Sequence, residues 1–270
     1  MNWFERIVYA LQFEVNRPST FGLFHFIWLV LSILMIIYLY KKKHDEKILK
    51  RVLLIYGFGS FILELLKQIV WSFNYDVVSG IVSWDYQWYA FPFQLCTTPM
   101  FVCIICGFLN KGKVRNCLLN YVAFVTILGS IATAIYPESC FVSTLLVNIH
   151  TMYLHFGSLV VSFYLLFKEV NINFKSLISG YFVFIAFVLI AQIMNVCVYN
   201  SGILNGEVFN MFYISPYFTS SLPLYDVVQK NSPYVIYFLF YLITIFLGSL
   251  IVFLISKYFS ERKSLWRNYC

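Results

Sequence analysis

Charged side chains are scarce in this sequence. Asp, Glu, Lys and Arg make up 11% of its 270 residues, where soluble domains carry about 25%. The shortage excludes a water-soluble globular fold, because 61% of the residues are hydrophobic and a chain of this length cannot hide so much apolar surface from water. Acidic residues are the fewest, 12 against 19 Lys and Arg, for a net charge of +7. That excess does not mark a nucleic-acid binder, whose basic residues gather into one patch or stripe; here they are spread over short loops. A cysteine framework is missing as well. Of the seven cysteines, Cys103, Cys106, Cys117 and Cys197 fall inside apolar stretches, Cys140 in a loop and Cys270 at the last position. Cys103 and Cys106 have CxxC spacing but no second pair, so they read as packing rather than as a metal or redox site. No metal and no cofactor are expected. Linkers, low-complexity segments and internal repeats are also lacking, which leaves one domain.

Long apolar runs are plentiful. A membrane-spanning helix needs about 20 mostly apolar residues. Seven stretches qualify: Phe21–Tyr40, Val52–Phe73, Phe93–Leu109, Cys117–Tyr136, Leu145–Phe167, Leu177–Tyr199 and Tyr234–Tyr258. The reading is an all-α polytopic membrane protein with seven transmembrane helices over residues 21–258, multi-pass in the cell membrane. Residues 1–20 do not read as a cleavable signal: Glu5 and Glu14 interrupt them, and neither a long apolar core nor a small-residue cleavage site is present. Trp3, Phe4, Ile7, Val8, Leu11 and Val15 recur at helical spacing, which predicts an interfacial helix.

Charge orients the spans. Lys41, Lys42, Lys43, Lys47, Lys50 and Arg51 lie between the first two; Lys111, Lys113 and Arg115 follow the third; Lys168 and Lys175 follow the fifth; Lys257, Arg262, Lys263 and Arg267 follow the last. The alternate loops carry Asp76, Asp85, Glu138, Glu207 and Asp226, with Lys230 their one cation. Positive charge stays on the cytoplasmic side, so the N-terminus is expected outside and the C-terminus inside, with 259–270 a basic cytoplasmic tail. Two outer loops are long: Asn74–Pro92, rich in Trp and Tyr, and Asn200–Ser232. An aromatic belt at the membrane interface accounts for most of the former.

Once the spans are oriented, the polar residues inside them fall at one depth, in the outer half: Glu64, Lys67, Gln68, Gln94, Cys96, Thr133, His150, His155, Gln192 and Asn195. Such residues are costly in hydrocarbon and face a bundle interior or a wet cavity. One outward-facing polar pocket is therefore expected. Glu64, Lys67 and Gln68 share a helix face by spacing; they read either as a structural ion pair or as a substrate-binding group. Pro92 and Pro99 bracket Cys96, and Pro99 frees carbonyls about one turn back, near Leu95 and Cys96. A helix start also favours a thiolate, the reactive form of cysteine. His150 and His155 are five apart, about 140° around a helix, so no two-histidine metal clamp forms. Cys plus His at one depth is the minimum for nucleophilic catalysis with imidazole as base. His25 is a third candidate, and His44 reads as solvated. Gln192 and Asn195 read as amides that join helices or bind substrate.

The motifs in order are Glu64-Leu-Leu-Lys67-Gln68, Pro-Phe-Gln-Leu-Cys at 92–96, Ala-Ile-Tyr-Pro at 134–137, His-Thr-Met-Tyr-Leu-His-Phe-Gly at 150–157, and Asn-Met-Phe-Tyr at 210–213 before Pro216. Together they resemble the YwaF-like integral membrane family of bacteria, from the second helix to the last. The resemblance extends to an animal branch that acts as an ether-phospholipid acyltransferase through a membrane cysteine. It implies Cys96 as nucleophile and His155 as its base, with His150 the second choice. The expected function is acyl transfer to, or hydrolysis of, a phospholipid at the outer leaflet. Gln94, Thr97 or backbone N–H groups would hold the oxyanion, and Glu64 and Lys67 a headgroup. Membrane lipids are the expected partners; the oligomeric state stays open. The alternative is a small-solute transporter or binding protein using the same pocket, although the nearly apolar inner halves argue against a through-path. A seven-helix receptor has only the helix count behind it.

Overall fold

Prolines, polar breaks and basic loops divide the chain into helices that fold back on one another. The computed structural model describes residues 1–137 and 140–269, with side chains to Arg262. Glu138, Cys270 and the side chains of Lys263 and Arg267 lie outside the described residues. Helix α1 (Trp3–Leu11) starts at a reciprocal cap between Asn2 and Glu5. Its Val8 packs with Val70 and Phe73, and the Gln12 side chain donates to the carbonyls of Val70 and Phe73. Trp3, Phe4 and Ile7 remain exposed. Helices α2 (Leu23–Lys41) and α3 (Glu46–Ser72) follow, then a hairpin of β1 (Phe73–Tyr75) and β2 (Val82–Trp84).

The third expected span, Phe93–Leu109, is helical only over α4 (Thr98–Phe108), 11 residues, or about 16 Å at 1.5 Å per residue. The prolines explain the shortening. Pro99 sits in the first turn of α4, where its missing N–H costs no bond, and residues 91–97 run in as irregular chain. The Leu95 carbonyl that Pro99 cannot serve accepts the Thr98 hydroxyl at 3.0 Å. The segment nonetheless descends alongside α3. Ala90 lies beside Lys67 and Gln68, Ile104 beside Gly57, and Lys111 beside Glu46.

Helices α5 (Lys113–Tyr121) and α6 (Ile127–Ile135) are joined through a π-helical turn, Val122–Thr126, into one continuous span. A π turn leaves a carbonyl short of its usual partner; that of Val122 accepts hydroxyls from Thr126 and from Ser162 of α7 (Leu145–Lys168). Helices α8 (Phe174–Asn200), α9 (Tyr225–Asn231) and α10 (Tyr234–Tyr269) complete the chain. Among the described residues, six helical stretches are long and apolar enough to cross a membrane. Helix α7 is the most buried of them, and α2 and α10 turn most of their apolar surface outward. Small residues allow the closest crossings, as in other membrane bundles: a Cβ on Gly180 would sit 2.7 Å from the Asn120 carbonyl carbon, so α8 meets α5 backbone to backbone.

The long segment between α8 and α9 does not lie on the surface as an outer loop would. Phe209, Met211, Phe212, Ile214 and Ser215 are buried within the bundle. Phe212 and Tyr213 take φ values of 56° and 59°, a strained region for side chains of their size. Side-chain amides hold them there. Asn195 accepts from the Met211 N–H at 2.7 Å and donates to the Met211 carbonyl at 3.0 Å. Gln94 accepts from the Phe212 N–H and donates to the Asn210 carbonyl. Asn195→Leu should leave both Met211 groups buried and unpaired, at a cost of about 1–3 kcal/mol. Limited proteolysis within residues 201–224 should then accelerate; an unchanged cleavage rate would mean that the amides do not hold the segment in place.

Candidate functional site

Helical spacing brings Glu64, Lys67 and Gln68 of α3 onto one face, and α7 supplies the remaining partner. Glu64 Oε1 lies 2.6 Å from Lys67 Nζ and 2.7 Å from Gln68 Nε2. Its Oε2 lies 2.7 Å from His150 Nε2, close but poorly aligned as a hydrogen bond. Gln68 and Lys67 also donate to the Ala90 carbonyl, at 2.6 and 3.4 Å, and Lys67 Nζ stands 5.4 Å from the Trp71 ring centre. Glu64, Lys67 and His150 are buried, at 2%, 7% and 4% exposure. A cation and an anion buried together neutralise each other, which makes such burial tolerable. A neutral ring that turns its Nε2–H toward the carboxylate carries its lone pair on Nδ1. That nitrogen is buried and has no hydrogen-bond partner among the described residues.

Cys96 is partly buried two residues before α4, within electrostatic range of Lys67 and Glu64. Among the described contacts it has no hydrogen bond to a histidine. His155 is committed elsewhere: its Nδ1 lies 3.0 Å from the Thr133 hydroxyl, and its ring also engages the Gly129 carbonyl. His25 is likewise used at both nitrogens, by the Phe21 N–H and the Ala134 carbonyl. Gln94 and Asn195 grip the segment at 210–212, the Thr97 hydroxyl exchanges bonds with the Gln94 backbone, and Gln192 faces Tyr234 of α10. Eight of the ten residues expected at one depth thus form three groups, with Cys96 and Gln192 outside them. Glu64, Lys67, Gln68 and His150 form the first, Thr133 with His155 the second, and Gln94 with Asn195 the third.

One expectation changes. The polar group does not open outward as a wet pocket: its charges are spent on one another, and the Ala90 carbonyl lies over Lys67 and Gln68. A cavity of about 500 Å³ lies instead between α2, α3 and α7, and its walls are apolar. His44 is exposed, as expected, but it has a partner. Its Nε2 lies 3.1 Å from Glu169 Oε2, within a network that sequence reasoning missed. Arg115, 1% exposed, pairs with Glu46 at 2.6 Å and approaches Glu169 at 3.7 Å; Lys111 approaches Glu46 at 3.5 Å. The signal was available: Glu46 and Glu169 are acids set in otherwise basic helix ends. The network ties the ends of α3, α5 and α7 together at the pole opposite β1–β2.

No curated protein and no solved structure matches the chain. The sequence profile of the TMEM164 family does, over residues 19–259, a stretch that includes five of the six spanning helices whole, most of the sixth, and the Glu64–His150 group. This multi-pass membrane protein therefore belongs to the TMEM164 family.

Proposed function

We propose that the chain is a membrane acyltransferase or hydrolase acting on a phospholipid at the outer leaflet of the cell membrane, with Cys96 as nucleophile. Seven crossings, with residues 91–109 as the third, place the N-terminus outside and the basic tail inside; α1 lies at the outer interface. The observation that carries the reading is the Glu64–His150 pair, which leaves a buried imidazole nitrogen with no hydrogen-bond partner among the described residues. A carboxylate that orients a histidine, which in turn serves a nucleophile, is the usual logic of acyl-transfer sites, and such contacts are often loose without substrate. The base is then His150, not His155. The resemblance to the YwaF-like family and its acyltransferase branch supports the same cysteine.

The chemistry closes in two halves. His150 Nδ1 takes the Cys96 thiol proton, and the sulfur attacks an acyl ester carbonyl. The ester C–O bond breaks, the proton passes to the leaving lysolipid oxygen, and a thioester remains on Cys96. The hydroxyl of a second lysolipid then attacks the thioester and gives its proton to His150. The C–S bond breaks, and the sulfur recovers that proton. Water in place of the second hydroxyl gives hydrolysis. Gln94 and Thr97 are already bonded, as are the N–H groups of Thr98 and Met100 in the first turn of α4, so the oxyanion donor has to be released from one of these bonds when substrate binds.

The test is competitive labelling of purified protein with an electrophilic lipid-like probe, read by mass spectrometry. Cys96 should label faster than Cys103 and Cys106, which are buried in α4, and faster than the outward-facing Cys197. His150→Ala should slow the reaction more than His155→Ala. Equal labelling of all four cysteines would remove Cys96 as the nucleophile.

A further inference from the structure

We infer that the cleft between α2, α3 and α7 is a binding site for one phospholipid with an anionic headgroup, its acyl chain in the cleft and its phosphate against Lys42 and Arg51. The site is separate from the Glu64–His150 group and does not depend on the reaction proposed above. The cleft arises because α2 packs mainly on α7 and leaves its face toward α3 open. Its volume of about 500 Å³ falls among ligand sites, which span about 300–1,000 Å³. Trp28 and Met35 of α2, Val52 and Ile55 of α3, and Gly157 and Val160 of α7 line it.

The polarity of the wall selects the occupant. The hydroxyls of Ser32, Tyr56 and Tyr153 are spent on the backbone carbonyls of Leu29, Leu154 and Ile55. A polar solute would therefore find almost nothing to bond along the length of the cleft, whereas a hydrocarbon chain loses nothing there. Length agrees. From Lys42 to Trp28 is 14 residues of α2, about 21 Å at 1.5 Å per residue, enough to take a chain through one leaflet of a hydrocarbon core about 30 Å thick.

One end carries charge. Lys42, just past α2, and Arg51, early in α3, are exposed and line the mouth. No acidic residue lines the cleft, and Glu46, the acid in the first turn of α3, is engaged by Arg115 and Lys111. Two cations at the mouth of a hydrocarbon-lined cleft complement a phosphate whose chains run into the membrane, and basic side chains at a bilayer surface attract anionic lipid. A zwitterionic headgroup carries the same phosphate but adds a cation that the two basic side chains repel.

The test is native mass spectrometry of the full-length protein, released from bilayers that hold phosphatidylglycerol and phosphatidylcholine in equal amounts. One phosphatidylglycerol per chain should be retained in preference to phosphatidylcholine. The double variant Lys42→Gln/Arg51→Gln should weaken that retention by about 30-fold, the product of two surface cations, and bring the two lipids level. Val52→Phe, which fills the cleft and leaves the charges in place, should lower retention of both lipids. Circular dichroism and elution volume check that each variant is folded. Equal retention of the two lipids by the unaltered protein would overturn the proposal, as would undiminished phosphatidylglycerol in both variants. Loss of Cys96 labelling has no bearing on either outcome.

Discussion

Glu64→Gln should lower stability by about 3–5 kcal/mol, the cost of stranding a buried charge, and so be among the most damaging single changes in the spans. Three side chains converge on the Glu64 carboxylate, and two of them can carry positive charge. The amide keeps the shape but not the charge, so Lys67 is left in a buried site with only the Ala90 carbonyl at 3.4 Å and the Trp71 ring for company. Adding Lys67→Leu removes the stranded cation and should restore most of the loss, because removing both members of a buried pair is often nearly neutral. Lys67→Leu alone should be milder than Glu64→Gln. The carboxylate then keeps Gln68 at 2.7 Å and His150, which can take up a proton in compensation. Thermal unfolding of the purified protein in one detergent, for all three variants, reads the pattern directly. A double variant no more stable than Glu64→Gln would show that the pair is not what holds this part of α3 in place.

Replacing Cys96 by alanine should abolish lipid acyl transfer while the protein still folds, since the side chain is only partly buried and its removal opens little cavity. His150→Gln should slow turnover by about 10²–10⁴-fold, the usual contribution of a general base. The effect belongs in kcat more than in KM, because the imidazole acts on the proton and not on the lipid. Glutamine can still bond to Glu64, so the fold should survive. His155→Gln should cost far less, because His155 bonds Thr133 and the Gly129 carbonyl and takes no part in the proton transfer. Product analysis by lipid mass spectrometry after reconstitution measures all three. Turnover surviving in Cys96→Ala would remove the nucleophile. A larger loss in His155→Gln than in His150→Gln would return the base to His155.

The division between legible and hidden features runs along particular residues. Sequence spacing alone placed Glu64, Lys67 and Gln68 on one face, and the structure puts all three on the same few atoms. The disruption by Pro99 was readable one turn back and is seen at Leu95. The short length of α4 was not, because Phe93–Leu109 is apolar enough on average to pass as a span and hydropathy does not say where such a stretch stops being helical. Nor could spacing choose between His150 and His155. They differ by a rotation about the α7 axis, and only the position of α3 decides which of them meets a carboxylate.

What the sequence by itself determined is environment, with depth as its expectation. A count of apolar residues between charged loops says which side chains lie in hydrocarbon and how far in to expect them, because a bilayer admits little else there. What only the tertiary structure decided is direction around each helix axis: that His150 faces Glu64, that Arg115 turns inward to Glu46, that Asn195 and Gln94 hold a buried loop, and that α2 leaves a cleft beside α3. The reason is physical. In a soluble helix one apolar stripe marks the buried face. A helix such as α2 is apolar on every side, lipid and protein interior are equally acceptable to it, and its rotation is settled by packing and by the few polar groups that must find one another.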